Sequence, residues 1–183
     1  MALQRRHSIA VLTAGVIALA AGTGTQQGFI PHWEGFTNAK QGGKVSVAIH
    51  QSFDPRGVIT VCNGHTNLDD PDLKEGDVYT RVMCSEVLAA DLPKYNAELA
   101  SCLPKNFQVS DHQHTAMLSF VYNVGKRNFC NSSVGRNFRL GHRKQACEAM
   151  GQFTRANKVV LKGLQNRRYD KFWGEIAWCL RDE

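Results

Sequence analysis

The sequence predicts an α+β fold in which a small β-hairpin lobe and a larger helical lobe follow an N-terminal hydrophobic helix. Three observations carry that expectation. An uncharged apolar run lies near the start, alternating Val45, Val47 and Ile49 lead to a β-rich stretch from Val58 to Cys62, and apolar residues recur at helical spacing beyond residue 80. The chain has 183 residues and is 43% hydrophobic, enough for one sizeable core. We divide it into residues 1–26, an export or anchor segment, and residues 27–183, a single globular domain.

Met1 to His7 carries Arg5 and Arg6, after which Ser8 to Gly24 is uncharged. Arginines ahead of an apolar stretch hold the N-terminus in the cytoplasm, so whatever follows Gly24 is delivered across the inner membrane. Two outcomes are open. Ala18-Leu19-Ala20 matches a small-x-small cleavage site, and the run, roughly 17 residues, is just long enough to span a bilayer. Ala, Gly and Thr fill more than half of it, so its hold on lipid is modest and it could leave the bilayer intact.

Gln26 to Pro31 reads as a polar connector and Val45 to Cys62 as a β-hairpin. Asp54-Pro55-Arg56-Gly57 supplies its turn, because Asp, Pro and Gly hold the first, second and fourth places that a type I turn favours. Asp54 therefore has a structural explanation of its own. Thr80 can cap a helix carrying Val82, Val87 and Leu88, which Pro93 should kink or end. Ser110 or Asp111 caps the next helix, whose Met117, Leu118 and Val121 run to a glycine stop at Gly125. A shorter helix covers about His142 to Met150. A last helix from about Asn166 should bury Tyr169, Phe172, Trp173 and Ile176 at i, i+3, i+4 and i+7.

The formal net charge of +6 favours anionic partners. Basic residues are dispersed, and no run of Lys and Arg interleaved with aromatics forms a nucleic-acid stripe, so nucleic acid is not expected as a partner. The six cysteines are Cys62, Cys84, Cys102, Cys130, Cys147 and Cys179, with no Cys-x-x-Cys spacing of a zinc or redox site. An even number behind an export-like start reads as disulfides in an oxidising compartment, with every pairing open. No metal or cofactor is expected, and Asp111-His112-Gln113-His114 is only a remote metal candidate.

Breaking a glycosidic bond near neutral pH needs a carboxylic acid that stays protonated for the leaving oxygen, and a second carboxylate to handle water or the positive centre. Trp33-Glu34-Gly35 sets an acid beside an aromatic ring, where loss of water favours the protonated form of a carboxyl. Alone it is a weak signal, since a Glu beside a Gly is more often a solvated surface residue. It gains weight from Asp54, then Gly57, then Thr60-Val61-Cys62-Asn63-Gly64-His65-Thr66.

This pattern resembles the phage lysozymes of glycoside hydrolase family 24, in which Glu-Gly is followed by Asp-x-x-Gly-x-x-Thr, an aliphatic residue and a Gly-His pair. Ser119-Phe120-Val121-Tyr122-Asn123-Val124-Gly125, Phe129-Cys130-Asn131-Ser132 and Gly163-Leu164-Gln165-Asn166-Arg167-Arg168 fit the same family, so the likeness runs from about residue 30 to the end. It implies a lysozyme-like fold, Glu34 as general acid, Asp54 as second carboxylate and Thr60 as partner in holding the attacking water. It further implies Arg167 as the basic residue that orients Glu34, and Asn123 as part of the sugar groove. The cysteine pairings it implies are Cys102 with Cys130 and Cys147 with Cys179, leaving Cys62 with Cys84. His65 is expected to hydrogen-bond within the hairpin rather than catalyse. One departure stands out: about twenty residues separate Glu34 from Asp54, roughly twice the family's gap. The extra residues, around Ala39 to Ser52, are expected to lengthen the hairpin.

The start of the chain resembles the signal-anchor-release segments of some phage endolysins. That likeness implies an enzyme held silent at the periplasmic face of the host inner membrane and released to the periplasm on depolarisation. No cysteine lies in the segment, so thiol exchange has no residue to act on there. The implied protein is a monomeric muramidase that hydrolyses the β-1,4 bond between N-acetylmuramic acid and N-acetylglucosamine in peptidoglycan, by the inverting route, and so lyses the host. The rival readings are a lytic transglycosylase, which needs no second carboxylate, and an inactive peptidoglycan-binding relative.

Overall fold

Thr13 begins the first helix: its Oγ1 accepts from the Val16 amide at 3.1 Å, and the helix then runs only over Ala14–Ala21. This computed structural model describes residues 6–23, 26–35, 39–50, 57–156 and 158–182. The apolar run expected to form one hydrophobic helix in front of the domain is instead divided. His7–Ser8 pairs antiparallel with Gln108–Val109, and Gly22–Thr23 pairs with Gln26–Gln27 after Gly22 turns the chain at φ +87°. Ile9 and Val16 are buried. Among the described residues no helix is long and apolar enough to cross a membrane. The chain forms two units, Ala20–Asp91 and Met1–Leu19 with Leu92–Glu183.

Besides the pair Gly22–Thr23 and Gln26–Gln27, the unit Ala20–Asp91 holds the short helix Phe29–Glu34 and two three-stranded antiparallel sheets. In the first sheet Val45–Val47 lies between Ala39–Lys40 and Val78–Thr80. In the second, Ile59–Val61 lies between Ile49–His50 and His65–Thr66. The expected single hairpin from Val45 to Cys62 is therefore corrected, because Val45–Val47 and Ile49–His50 belong to different sheets. The switch falls at buried Ala48, which bonds through its amide to the Asp77 carbonyl and through its carbonyl to the Gly76 amide. Most of the described extra residues after Glu34, Ala39–Lys40 and Val45–Val47, thus build a sheet of their own with Val78–Thr80, and only Ile49–His50 pairs with Ile59–Val61 as a hairpin arm. The expected turn at Asp54 falls on residues 51–56, outside the described residues, with Gly57 at φ +70° just after it. Ala48, Val61, Cys62, Leu73 and Cys84 form this unit's core, and the Cys62–Cys84 disulfide runs through it.

Thr80 caps the helix Arg81–Ser101 by accepting from the Met83 amide at 3.3 Å. Pro93, expected to kink or end this helix, lies inside it. An interior proline costs about 3 kcal/mol. Fully burying Leu88, Leu92 and Leu99 on the same helix returns about 1.5 to 3 kcal/mol each, so packing wins.

In the other unit, Ser110 caps Asp111–Val124 through the Gln113 amide, and Gly125, at φ +79°, closes it with a bond to the Val121 carbonyl. Met117, Leu118, Phe120 and Val121 on this helix are buried, and it packs against Glu175–Leu180. Lys126–Asn131, Ser133–Arg139 and Arg143–Ala149 add Phe129 and Phe138 to the core. Disulfides join Cys102 to Cys130 and Cys147 to Cys179, as the family likeness implied.

The expected last helix is two helices, Lys162–Tyr169 and Glu175–Leu180. Asp170 Oδ1 accepts from the amides of Phe172 and Trp173, both at 2.8 Å, a local turn that competes with the helix ladder. The break leaves Tyr169 and Phe172 exposed, contrary to the apolar stripe read from the sequence. The buried residues there are Arg167, Arg168, Glu175, Trp178 and Cys179.

Candidate active site

Glu34 is the last residue of Phe29–Glu34, a helix anchored by fully buried Phe29 and Ile30. Its carboxylate-bearing side chain is half-buried. Gly35 ends the helix at φ +72°, with its amide bonded to the Pro31 carbonyl at 3.1 Å, a conformation that glycine adopts without the penalty of a Cβ. The Gly35 carbonyl then accepts from Nδ2 of buried Asn63. That bond ties the Glu34 turn to the tight loop between Ile59–Val61 and His65–Thr66.

Thr60 occupies the middle of Ile59–Val61, opposite Ile49 on one side and Thr66 on the other. It is buried, and its hydroxyl donates to the His65 carbonyl at 3.2 Å. His65 is buried too, with Nδ1 2.9 Å from Asp91 Oδ2 on the long helix. The bond to Asp91 raises the His65 pKa above its ordinary value against the opposing effect of burial, with Asp69 and Asp70 adding to the rise. The expected hairpin role of His65 is thus partly a link to a distant helix. Cys62 stands at φ +59° in the same loop, held by its disulfide to Cys84 and by donation of its amide to Ser46 Oγ at 2.9 Å. Asp54 lies outside the described residues. A cleft in this unit is lined by Gln27, Gly28, Pro31, Gly35, Asn63 and Arg81 among others; Glu34 and Thr60 do not line it.

Arg167 and Asn123 belong to the other unit. There Arg167 donates through Nε to Glu175 Oε1 at 2.9 Å and through Nη2 to the carbonyl and hydroxyl of Ser119, each at 3.0 Å. Arg168 completes the group: Nη1 pairs with Glu175 Oε2, Nη2 donates to Asn123 Oδ1, and the guanidinium lies 4.8 Å from the Phe120 ring centre. Glu175 and Arg168 are fully buried, so two guanidinium groups share one carboxylate out of water. Asn123, expected in the sugar groove, is an acceptor for this cluster.

Sequence reading missed Asn63, Asp91, Ser119, Arg168 and Glu175. Asn63 lies inside the motif, between Cys62 and Gly64, and the Asn-Gly pair, which favours a tight turn, is the signal the sequence carries. Ser119 and Asn123 are four residues apart, hence on one helix face, and could have been paired with the Arg167-Arg168 doublet. Nothing local marks Asp91 or Glu175.

The mixed helix and sheet fold is that of the lysozymes, and within it Glu34 stands half-buried at a helix end, tied through Asn63 to the hairpin that carries Thr60. The chain belongs to the phage lysozyme family, whose model matches residues 42–171. The match includes Asp54, Thr60, His65, Asn123 and Arg167, and Glu34 precedes it. The chain is 31% identical over 164 residues to the SAR-endolysin of Bacteriophage PS119, covering 90% of this chain and 89% of that protein. A P22 lysozyme mutant superposes with a TM-score of 0.66 at 25% identity, covering 92% of this chain and 97% of that one. The muramidase domain of SpmX from Asticaccaulis excentricus has the same fold, with a TM-score of 0.66 at 24% identity over 93% of this chain and 97% of that one. The chain is a muramidase, a glycoside hydrolase that acts on peptidoglycan.

Proposed function

We propose that this muramidase is an endolysin that hydrolyses the β-1,4 bond between N-acetylmuramic acid and N-acetylglucosamine, with Glu34 as general acid. One observation carries the reading: the bond from Asn63 to the Gly35 carbonyl links the Glu34 turn to the loop that follows Thr60. Glu34 donates its proton to the leaving oxygen, while Asp54, in the motif Asp-x-x-Gly-x-x-Thr, activates a water on the opposite face of the sugar. The Thr60 proton is committed to the His65 carbonyl, so Oγ1 offers that water a lone pair. Displacement by water on the far side inverts the anomeric centre.

A Glu34→Gln variant tests this assignment. Clearing of purified peptidoglycan should fall by at least about a thousandfold, because the amide cannot supply the proton. Clearing at the wild-type rate removes Glu34 as the acid. Mass analysis of the muropeptides separates the reactions, since hydrolysis adds one water and a transglycosylase leaves anhydro-sugar ends.

The N-terminal segment is the basis for a second part of the proposal: delivery to the periplasmic face of the host inner membrane and release from it intact. Its support is the uncharged run after Arg5 and Arg6 and the likeness to the SAR-endolysin of Bacteriophage PS119. In fractionated cells the uncleaved chain should sit with the membrane and become soluble after a depolarising agent. Recovery of nothing but a species shortened near Ala20 overturns release and leaves the enzymatic assignment intact.

A further inference from the structure

The apolar start of the chain is not merely adjacent to the helix Asp111–Val124; polar groups fasten it there. Thr13, which caps Ala14–Ala21, donates its hydroxyl to Asp111 Oδ1 at 3.2 Å. Gly15 lies so close that a Cβ there would stand 2.6 Å from Asp111 Oδ2. His7 brings Nδ1 to 3.4 Å from the same Asp111 carboxylate and Nε2 to 2.9 Å from Nδ1 of His114. His114 is fully buried, and its Nε2 is 2.6 Å from Asn96 Oδ1 on the long helix.

These contacts determine where protons can sit. Asn96 Oδ1 only accepts, so His114 Nε2 carries a hydrogen and donates it. In neutral His114 the Nδ1 is then a lone pair, which accepts from His7 Nε2. One extra proton is still accommodated, because it can reside on His7 Nδ1, facing Asp111. A second cannot be, because it would set two N–H groups head to head across the 2.9 Å contact and leave two imidazolium rings beside one carboxylate.

We propose that His7 and His114 form a proton-sensitive clasp, which holds the N-terminal segment on the helix Asp111–Val124 while the pair carries at most one proton and lets it go when a second arrives. The neighbouring charges leave the clasp in control. Asp111 is the carboxylate that faces it and favours the first proton, and Asn96 is neutral. His112 on the same helix faces Asp182. Glu175, on the helix packed against Asp111–Val124, is held by Arg167 and Arg168. Burial lowers the pKa of both histidines, that of His114 to about 3, with His7 adding to the effect on His114. A histidine whose pKa is depressed in the docked state supports docking above its free value near 6.5 and withdraws that support as pH falls.

This inference deepens the reading of residues 1–26 as a releasable segment, but its test measures docking alone, in the purified full chain. Hydrogen exchange is followed from pH 7.5 to 4.5, with protection corrected for the intrinsic pH dependence of exchange. Amides of Ala14–Ala21 should lose protection by about tenfold per pH unit below about pH 6.5, while those of Ser133–Arg139 hold theirs. His114→Gln, which can still donate to Asn96 and accept from His7, should flatten the dependence. His7→Gln should reduce the slope without abolishing it, since its amide can turn to accept from a protonated His114 while burial of that charge still opposes docking, and it serves alone if His114→Gln does not fold. Protection of Ala14–Ala21 that persists to pH 4.5 overturns the clasp. So does loss simultaneous with Ser133–Arg139, or an undiminished slope in the glutamine variants.

Discussion

Nδ1 of His65 and Oδ2 of Asp91 stand 2.9 Å apart, joining the strand-bearing loop behind Thr60 to the long helix within one unit. The bond raises the His65 pKa, so protonated His65 stabilises the fold. That contribution is complete below the free value near 6.5 and is lost as pH rises through the higher folded value. His65→Asn should therefore cost about 2 kcal/mol at pH 5.5 and clearly less at pH 8.5, read from urea denaturation at both pH values. Equal losses at the two pH values contradict the assignment.

Glu175 neutralises one of two buried guanidinium groups, Arg167 and Arg168, in a place closed to water. Replacing it with leucine leaves both charges without a carboxylate, and the expected loss is about 3 to 5 kcal/mol in chemical denaturation. A loss below about 1 kcal/mol would show that the arginines reach water when Glu175 is gone.

Gly28 starts the helix that ends in Glu34, and its backbone touches the preceding turn. A Cβ at this position would lie 2.2 Å from the Gly22 amide nitrogen and 2.3 Å from the Ala21 carbonyl carbon, where no flexible side chain can yield. Gly28→Ala should destabilise the protein by about 2 kcal/mol. Peptidoglycan clearing, assayed well below the melting temperature, should fall as well, because the shift propagates along the helix to Glu34. An unchanged denaturation midpoint rules out the close approach.

The Cys147–Cys179 bridge closes a loop of 32 residues across the core of its unit. Replacing both cysteines by alanine should cost about 3 to 4 kcal/mol through the freed unfolded chain. The measurement is the urea midpoint of the double variant without reductant. A midpoint within error of wild type argues against a formed bridge.

The elements that were legible in the sequence are those whose cause is local. Thr80, Ser110 and Gly125 mark helix ends because each satisfies backbone groups within a turn of itself. The strand Ile59–Val61 also falls where the sequence placed it, whereas Gln26 to Pro31, expected as a polar connector, holds the strand Gln26–Gln27 and the start of the helix Phe29–Glu34. Pro93 and the stripe from Tyr169 to Ile176 depart from the sequence expectation for different reasons, the first set by tertiary packing and the second by a local turn. Buried leucines carry the helix through Pro93, whereas the Asp170 turn breaks the helix after Tyr169.

By itself, the amino-acid order determined the family and the helix caps, since these depend on residues a few positions apart, whereas the helix that ends in Glu34 emerged only with the structure. Tertiary structure decided which strands share a sheet, which carboxylate His65 and the two arginines meet, and where the apolar start is fastened. Those partners lie 7 to 107 positions away along the chain, and only folding brings their charges into a space that excludes water.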